Sequence, residues 1–291
     1  MSDSAPLGRT ALRRVLADNG LEPSRALGQN FVVDPNTTER IARLSGVGAG
    51  DVVVEIGAGL GALTISLART GAEVTAIEVD RGLAAVLRER LGDEVHVVEA
   101  DALRLDWDAL IAQATGGDPT RPVTLVANLP YNIATGVVML VLERVPRITR
   151  LLVMVQREVA ERLAARPGGK EFGAVSVRLA YFATARLAGR IPPDVFHPRP
   201  HVESALVEIV RRDVPAIDPE LATYPELDTL VRAGFAGRRK MLRRSLAGLV
   251  DDSAFTAAGV APTQRAEELD VVVWGKLAAC RRRSTSTRAQ S

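Results

Sequence analysis

A chain of 291 residues can bury a full core and still carry a second, smaller domain, and 47% hydrophobic with 25% charged residues is ordinary for a globular protein. No apolar run reaches the roughly 18 residues of a membrane span, no apolar leader opens the chain, and the single cysteine, Cys280, supports neither an internal disulfide nor a cysteine-rich metal site, which together predict a cytoplasmic protein. The net charge of +2 is unevenly spread: Tyr224 to Ser291 hold 12 Lys+Arg against 7 Asp+Glu, and the residues before them 25 against 28, so a polyanionic partner is expected at the C-terminal end.

In chain order, Thr10 to Asn19 reads as an amphipathic helix closed by Gly20, and a loop then holds Leu27-Gly28-Gln29-Asn30-Phe31. Asp34 is placed as an N-cap with Pro35 at the first helical position and Gly46 past the end. The spacing predicts a strand over Asp51–Ile56, a glycine loop over Gly57–Gly61 and a helix from Ala62 to Arg69. Strands at Glu73–Glu78, Val95–Glu99, Val123–Ala127 and Leu151–Gln156 alternate with helices at Arg81–Leu91 and Ile133–Glu143, the order of a doubly wound parallel sheet. Further on come a helix at Glu158–Arg166, a loop at Pro167-Gly168-Gly169, and two strands, Thr184–Arg190 and Ala205–Arg211, expected as an antiparallel edge. Asp213–Pro225 reads as a linker and the remainder to Ala279 as helices. The expected organisation is therefore an α/β domain over residues 1–212, a small helical domain over 213–280 and a disordered basic tail over 281–291.

Gly57-Ala58-Gly59-Leu60-Gly61 follows a strand and opens a helix, so its backbone can approach a ligand closely. The spacing from Glu55 is Glu-x-Gly-x-Gly-x-Gly and not the G-x-G-x-x-G of a pyrophosphate binder, which favours a nucleoside. Glu78, at the end of the second strand, can accept hydrogen bonds from both ribose hydroxyls, and Asp101, past the third, can accept one from an adenine amino group. Singly each carboxylate reads equally well as a loop acid or helix cap; jointly with Gly57 and Gly59 they point to S-adenosylmethionine.

Asn128-Leu129-Pro130-Tyr131 follows the fourth strand at the same edge. It resembles the [Asn/Asp]-x-Pro-[Tyr/Phe] signature of methyltransferases acting on exocyclic amino groups. Such a nitrogen is a poor nucleophile because its lone pair is delocalised into the ring. Its two N–H groups can donate to the Asn128 side-chain oxygen and to a backbone carbonyl near Leu129, while Pro130 holds the turn without an N–H of its own. Tyr131 offers a face for a base to stack on. Positioning and electrostatics then supply the catalysis, with no metal.

With these motifs the chain resembles the bacterial small-subunit ribosomal RNA adenine dimethyltransferase family from about Arg25 to Leu246. Leu27–Phe31 matches the family's opening motif and Asn128–Tyr131 its Asn-Leu-Pro-Tyr. Val195-Phe196-His197-Pro198-Arg199-Pro200-His201-Val202-Glu203-Ser204 matches its Val-Phe-x-Pro-x-Pro-x-Val-x-Ser loop, and Phe235 to Arg243 resembles its Phe-x-x-Arg-Arg-Lys-x-Leu-Arg helix. Ala58, Val32 and His201 depart from the usual proline, leucine and lysine. The resemblance implies a Rossmann-like S-adenosylmethionine methyltransferase sheet over 1–212 and an RNA-binding role for the helices over 213–280. It implies Asn30 and the backbone near Val32 as closing the donor pocket, and Phe196 as a second aromatic wall for a flipped adenine. It also implies two methylations on each of two adjacent adenosines near the 3′ end of small-subunit RNA, within an immature small ribosomal subunit. A monomer is expected.

Arg238, Arg239, Lys240, Arg243 and Arg244 put five cations in seven residues at helical spacing. Such a cluster is usually a solvated face; the basic C-terminal balance favours contact with an RNA backbone. His197 and His201, four apart in a loop, make no metal site without further ligands. Trp107 and Trp274 read as packing residues. Two rivals stay open: a large-subunit RNA methyltransferase conferring antibiotic resistance, and an assembly factor that binds RNA without catalysis. The Val195–Ser204 loop and the Phe235–Arg243 segment favour the small subunit, and an intact Glu78, Asp101 and Asn128 argue against lost catalysis.

Overall fold

Val52–Ile56 (β2) is buried along its whole length, as a strand covered by helices on both faces must be. In this computed structural model, which describes residues 5–237 and 239–289 (282–289 by backbone alone), β2 lies at the centre of a seven-stranded sheet. The chain reaches it through α1 (Arg9–Asp18), the two-residue strand β1 (Phe31–Val32) and α2 (Pro35–Ser45). Asp34 caps α2 by accepting from the Thr37 N–H at 3.0 Å, and Gly46 closes it at φ 71°, both as the sequence predicts.

After β2 come α3 (Ala62–Ala68), β3 (Glu73–Glu78), α4 (Arg81–Leu91), β4 (His96–Glu99), α5 (Trp107–Ala114), β5 (Val123–Asn128), α6 (Ala134–Arg144) and β6 (Ile148–Gln156). Then follow α7 (Arg157–Leu163), α8 (Ala174–Phe182), β7 (Ala183–Ile191), β8 (Phe196–His197) and β9 (Ser204–Arg211). The strand order is β4-β3-β2-β5-β6-β9-β7. Neighbours from β4 to β6 are parallel, whereas β9 runs antiparallel to β6, the edge expected from the late strands. The chain leaves β2 for β3 on one side and returns to β5 on the other. That reversal opens a crevice at the carboxyl ends of β2 and β5.

Two helices were not legible. α5 is a short helix capped by Asp106, which accepts from the Ala109 N–H at 3.1 Å, with the Trp107 indole donating to the Ala102 carbonyl at 3.0 Å. α8 runs into β7 with no glycine or proline between Phe182 and Ala183, so no punctuation marks the change of period. The antiparallel pair β1–β8, with Phe31 opposite His197 and Val32 opposite Phe196, was also unforeseen, since it joins segments 165 residues apart.

Two compact units form: Met1–Ala160 with Arg186–Val210, and Glu161–Ala185 with Arg211–Ser291. They do not follow a single cut at residue 212. The second unit holds α8, α9 (Tyr224–Phe235), α10 (Leu242–Ser245), α11 (Asp252–Ala258) and α12 (Val271–Ala289). Its core gathers Phe172, Tyr181, Leu230, Leu246, Phe255 and Trp274. Ile217 and Ala222, expected in a linker, are buried in that core, because the apolar side chains among the prolines and acids gain more by burial than the segment gains by staying solvated. α12 runs on to Ala289 where a disordered tail was expected; neither glycine nor proline follows Gly275, so established turns propagate at little cost. No described helix is long and apolar enough to cross a membrane.

Gly234 on α9 lies against Trp274, and a Cβ there would run into the indole ring. Gly234→Ala should gain about 1 kcal/mol of helix propensity and lose about 1–3 kcal/mol to overpacking of a fully buried ring. A lower urea midpoint is expected; a raised one would contradict the packing.

Candidate active site

A cleft of about 1030 Å³, its open mouth included, lies at the crevice between β2 and β5 within the first unit. Asn30, Val32, Gly57, Gly59, Glu78, Asp101, Asn128, Leu129, Pro130 and Tyr131 all line it. Residues from five separate segments of the sequence thus meet in one place.

The glycine loop is fixed by an acid. Glu78, 5% exposed at the end of β3, accepts from the Gly59 N–H at 2.7 Å and, through its other oxygen, from the Asp80 N–H at 3.0 Å. Burial raises the Glu78 pKa, and the hydrogen bonds from Asp80 and Gly59 hold the rise back. Gly59 itself has φ 57°, and a Cβ there would come to 3.0 Å from the Phe31 ring. Asp80 caps α4 and accepts from the Gln29 side chain at 3.3 Å, while Gln29 accepts from the Ser24 N–H at 2.8 Å. In this way the Leu27–Phe31 motif is docked onto the end of β3.

The same motif also docks onto β5. Asn128 Nδ2 donates to the Asn30 carbonyl at 3.0 Å, which leaves Oδ1 as the acceptor end of that amide. Gly28 turns at φ 65°, where a Cβ would lie 3.3 Å from both Pro130 and Asn132, so glycine lets this turn sit against the Asn128–Tyr131 segment. The Leu129 N–H donates to the Met154 carbonyl at 3.0 Å, and the Pro130 carbonyl accepts from Ile133 and Ala134, starting α6. The Tyr131 hydroxyl and Ser204 Oγ are 3.0 Å apart; burial raises the phenol's pKa, so Tyr131 acts as a neutral ring. Asp101 accepts from the Leu103 N–H at 2.9 Å, serving as a turn cap and a cleft-lining acid together.

Phe196 is not among the lining residues. It is 1% exposed and packs in the core beneath Val32, because the β1–β8 ladder turns it inward. In this structure it supports the cleft wall and is not itself a wall. The basic cluster also differs from the expected helix. α9 ends at Phe235, and a turn follows in which the Lys240 N–H donates to the Gly237 carbonyl at 2.7 Å. Arg239 and Lys240 are exposed on that turn and Arg243 is exposed on α10, while Arg238 lies outside the described residues. Gly237 and the pairing of Met241 with Arg265 override the helical spacing.

Glu55 was passed over. It lines the cleft from β2 at 1% exposure, and its Oε2 and the Thr64 hydroxyl have no hydrogen-bond partner among the described residues. Burial pushes its pKa up to about 8, the nearby Thr64 hydroxyl offsetting a little and the charge of Glu78 adding to it. An acid inside an otherwise apolar run was the available signal. A buried carboxyl oxygen on a cleft-lining residue, without a protein partner among the described residues, suits a polar, nucleoside-bearing ligand.

The model of the ribosomal RNA adenine dimethylase family matches residues 22–279. This chain belongs to that family. Among relatives of the dimethylase chain, a ribosomal RNA small subunit methyltransferase A from Cutibacterium acnes is 44% identical over 285 residues, covering 93% of each chain. One from Kineococcus radiotolerans is 45% identical over 280 residues, covering 92% of this chain and 89% of its own. The crystal structure of the 23S rRNA methyltransferase ErmE superposes with TM-score 0.66 at 25% identity, over 86% of this chain and 98% of its own. A dimethyladenosine transferase from Plasmodium falciparum, at 22% identity and TM-score 0.67, shares the fold over 84% and 94%. As a dimethylase, the chain is an S-adenosylmethionine-dependent rRNA methyltransferase.

Glu55 gives a pH signature. A carboxyl whose folded pKa lies near 8 and whose unfolded value is 4.5 keeps a proton in the folded state that the unfolded chain loses, so stability falls as pH rises from about 4.5 to about 8. Glu55→Gln should flatten the fall in melting temperature over that range and raise stability most at pH 8. Parallel pH profiles for both proteins would contradict a protonated buried Glu55.

Proposed function

We propose that this dimethylase converts two adjacent adenosines near the 3′ end of small-subunit rRNA to N6,N6-dimethyladenosine, acting in the cytoplasm on an immature small ribosomal subunit. The observation that carries the reading is the Asn128 amide, whose nitrogen is held by Asn30 so that its oxygen is left to accept, in a cleft shared with Glu78 and the glycine loop. S-adenosylmethionine supplies an electrophilic methyl group on its sulfonium. Glu78 takes the ribose hydroxyls, Asp101 an adenine amino group, and Asn30, Val32, Gly57 and Gly59 shape the donor pocket. In the first transfer Asn128 Oδ1 and the Leu129 carbonyl accept the two N–H groups of the target N6, and in the second one of them accepts the single N–H that remains, drawing the nitrogen toward a tetrahedral shape and freeing its lone pair. Pro130 keeps that acceptor pair free of a competing donor, and Tyr131 stacks on the base for roughly 1–3 kcal/mol. Phe196 contributes by backing Val32 through β1 and β8.

The choice of the small subunit rests on the relatives, which carry that name at 44% and 45% identity, against 25% for the large-subunit enzyme. Fold alone does not separate these two. Arg239, Lys240 and Arg243, with Arg238 from the sequence, are proposed to contact the RNA backbone.

Given labelled S-adenosylmethionine, the purified protein should methylate small subunits lacking the modification and leave mature large subunits unlabelled. Label found only in large-subunit RNA would overturn the substrate assignment. Asn128→Ala should lower turnover by about 10²-fold or more, the order of a lost transition-state hydrogen bond, in a protein whose melting is intact. Unchanged turnover would remove Asn128 from the chemistry.

A further inference from the structure

Leu12 and Leu16 of α1, with Leu7 just before the helix, pack against Phe31, Leu60 and Leu83, and Leu7 and Leu12 reach the cleft wall. Arg9 and Arg13, one turn apart, are exposed along one border of that buried stripe. Arg9 donates to the Asp194 carbonyl at 2.6 Å, fastening α1 to the turn that leads into β8. His197 on β8 lies opposite Phe31, and the charges of Arg13 and Arg9 add to its partial burial in holding its pKa below the usual imidazole value. All three basic side chains therefore share one local field.

Among the described residues neither Arg9 nor Arg13 forms an ion pair; Arg14, next in sequence, is paired with Asp18 at 3.5 Å. Asp194 on the adjoining turn is the nearby acid in the sequence, and it meets Arg9 through its carbonyl. Two arginines one turn apart on a helix repel each other in the free protein, which a bound polyanion would relieve. The ridge also adjoins the reacting edge: the segment that carries His197 continues to Ser204, which is hydrogen-bonded to Tyr131.

We propose that Arg9, Arg13 and His197 form a phosphate-binding ridge beside the cleft, holding the backbone of the RNA strand that presents the target adenosine. This rests on the rRNA substrate proposed above, and adds a contact surface outside the basic cluster of the second unit. Arg9 and Arg13 supply charge, and neutral His197 supplies a hydrogen-bond donor to a phosphate oxygen. Because Leu12 of α1 lines the donor cleft, RNA held by Arg9 and Arg13 beside it also steadies that wall.

The test is the salt dependence of binding to small ribosomal subunits that lack the modification, with S-adenosylmethionine affinity measured in parallel by equilibrium dialysis. Arg9→Ala/Arg13→Ala should bind subunits at least about fivefold more weakly at 0.1 M salt and reduce the slope of log K against log salt by about 1–2, with donor affinity unchanged. Arg13→Lys should restore the slope of the wild type at that position. Equal affinity and slope for the double variant would overturn the ridge. Should the double variant also lose donor binding, Arg13→Ala alone decides, since Arg13 makes no hydrogen bond among the described residues: a reduced slope supports the ridge and an unchanged one overturns it. Wild-type protein that fails to bind the subunits would overturn the rRNA reading, and the ridge with it.

Discussion

The hydrogen bond from Asn128 to the Asn30 carbonyl joins residues 98 apart in sequence, across the crevice where the sheet reverses direction. A single such bond contributes only about 0.5–1.5 kcal/mol to stability, too little to explain its place at the centre of the site. Its consequence is orientation. An amide has one donating and one accepting end, and committing the donor to a backbone carbonyl decides where the acceptor lies. The backbone carbonyl is itself held, because Gly28 turns against Pro130 and Gln29 bridges Ser24 and Asp80. The N-terminal motif thus connects the Asn128–Tyr131 segment at the end of β5 with the acid on β3.

That acid has a structural and a binding aspect at once. Glu78 holds the glycine loop through the Gly59 N–H, so the carboxylate that would meet a ribose also sets the shape of the loop beside it. Glu55 lies deeper and stays protonated near neutrality, which spares the crevice a second buried negative charge close to Glu78.

Most of this was visible in residue types and spacing. The buried strand Val52–Ile56 and its glycine loop, the cap at Asp34, and the carboxylates at strand ends are local signals, and the sheet brings together what they mark. What stayed hidden depends on distant partners. The pairing of Val32 with Phe196 turns Phe196 into the core, and no periodicity announces a two-residue ladder. The cations after Phe235 have helical spacing, yet Gly237 and the bridge between Met241 and Arg265 break the helix. α8 was missed because its helical pattern ends at a strand without a turn residue.

Asn128 is proposed to serve as an acceptor whose direction Asn30 fixes. Single-turnover methyl transfer by Asn128→Asp and Asn128→Ala tests it most directly, since aspartate keeps an oxygen at the acceptor position and alanine does not. The aspartate variant should transfer at least about tenfold faster than the alanine variant, in line with one retained hydrogen bond to the reacting nitrogen. Equal rates for the two would contradict it, leaving Asn128 as a structural tie to the N-terminal motif.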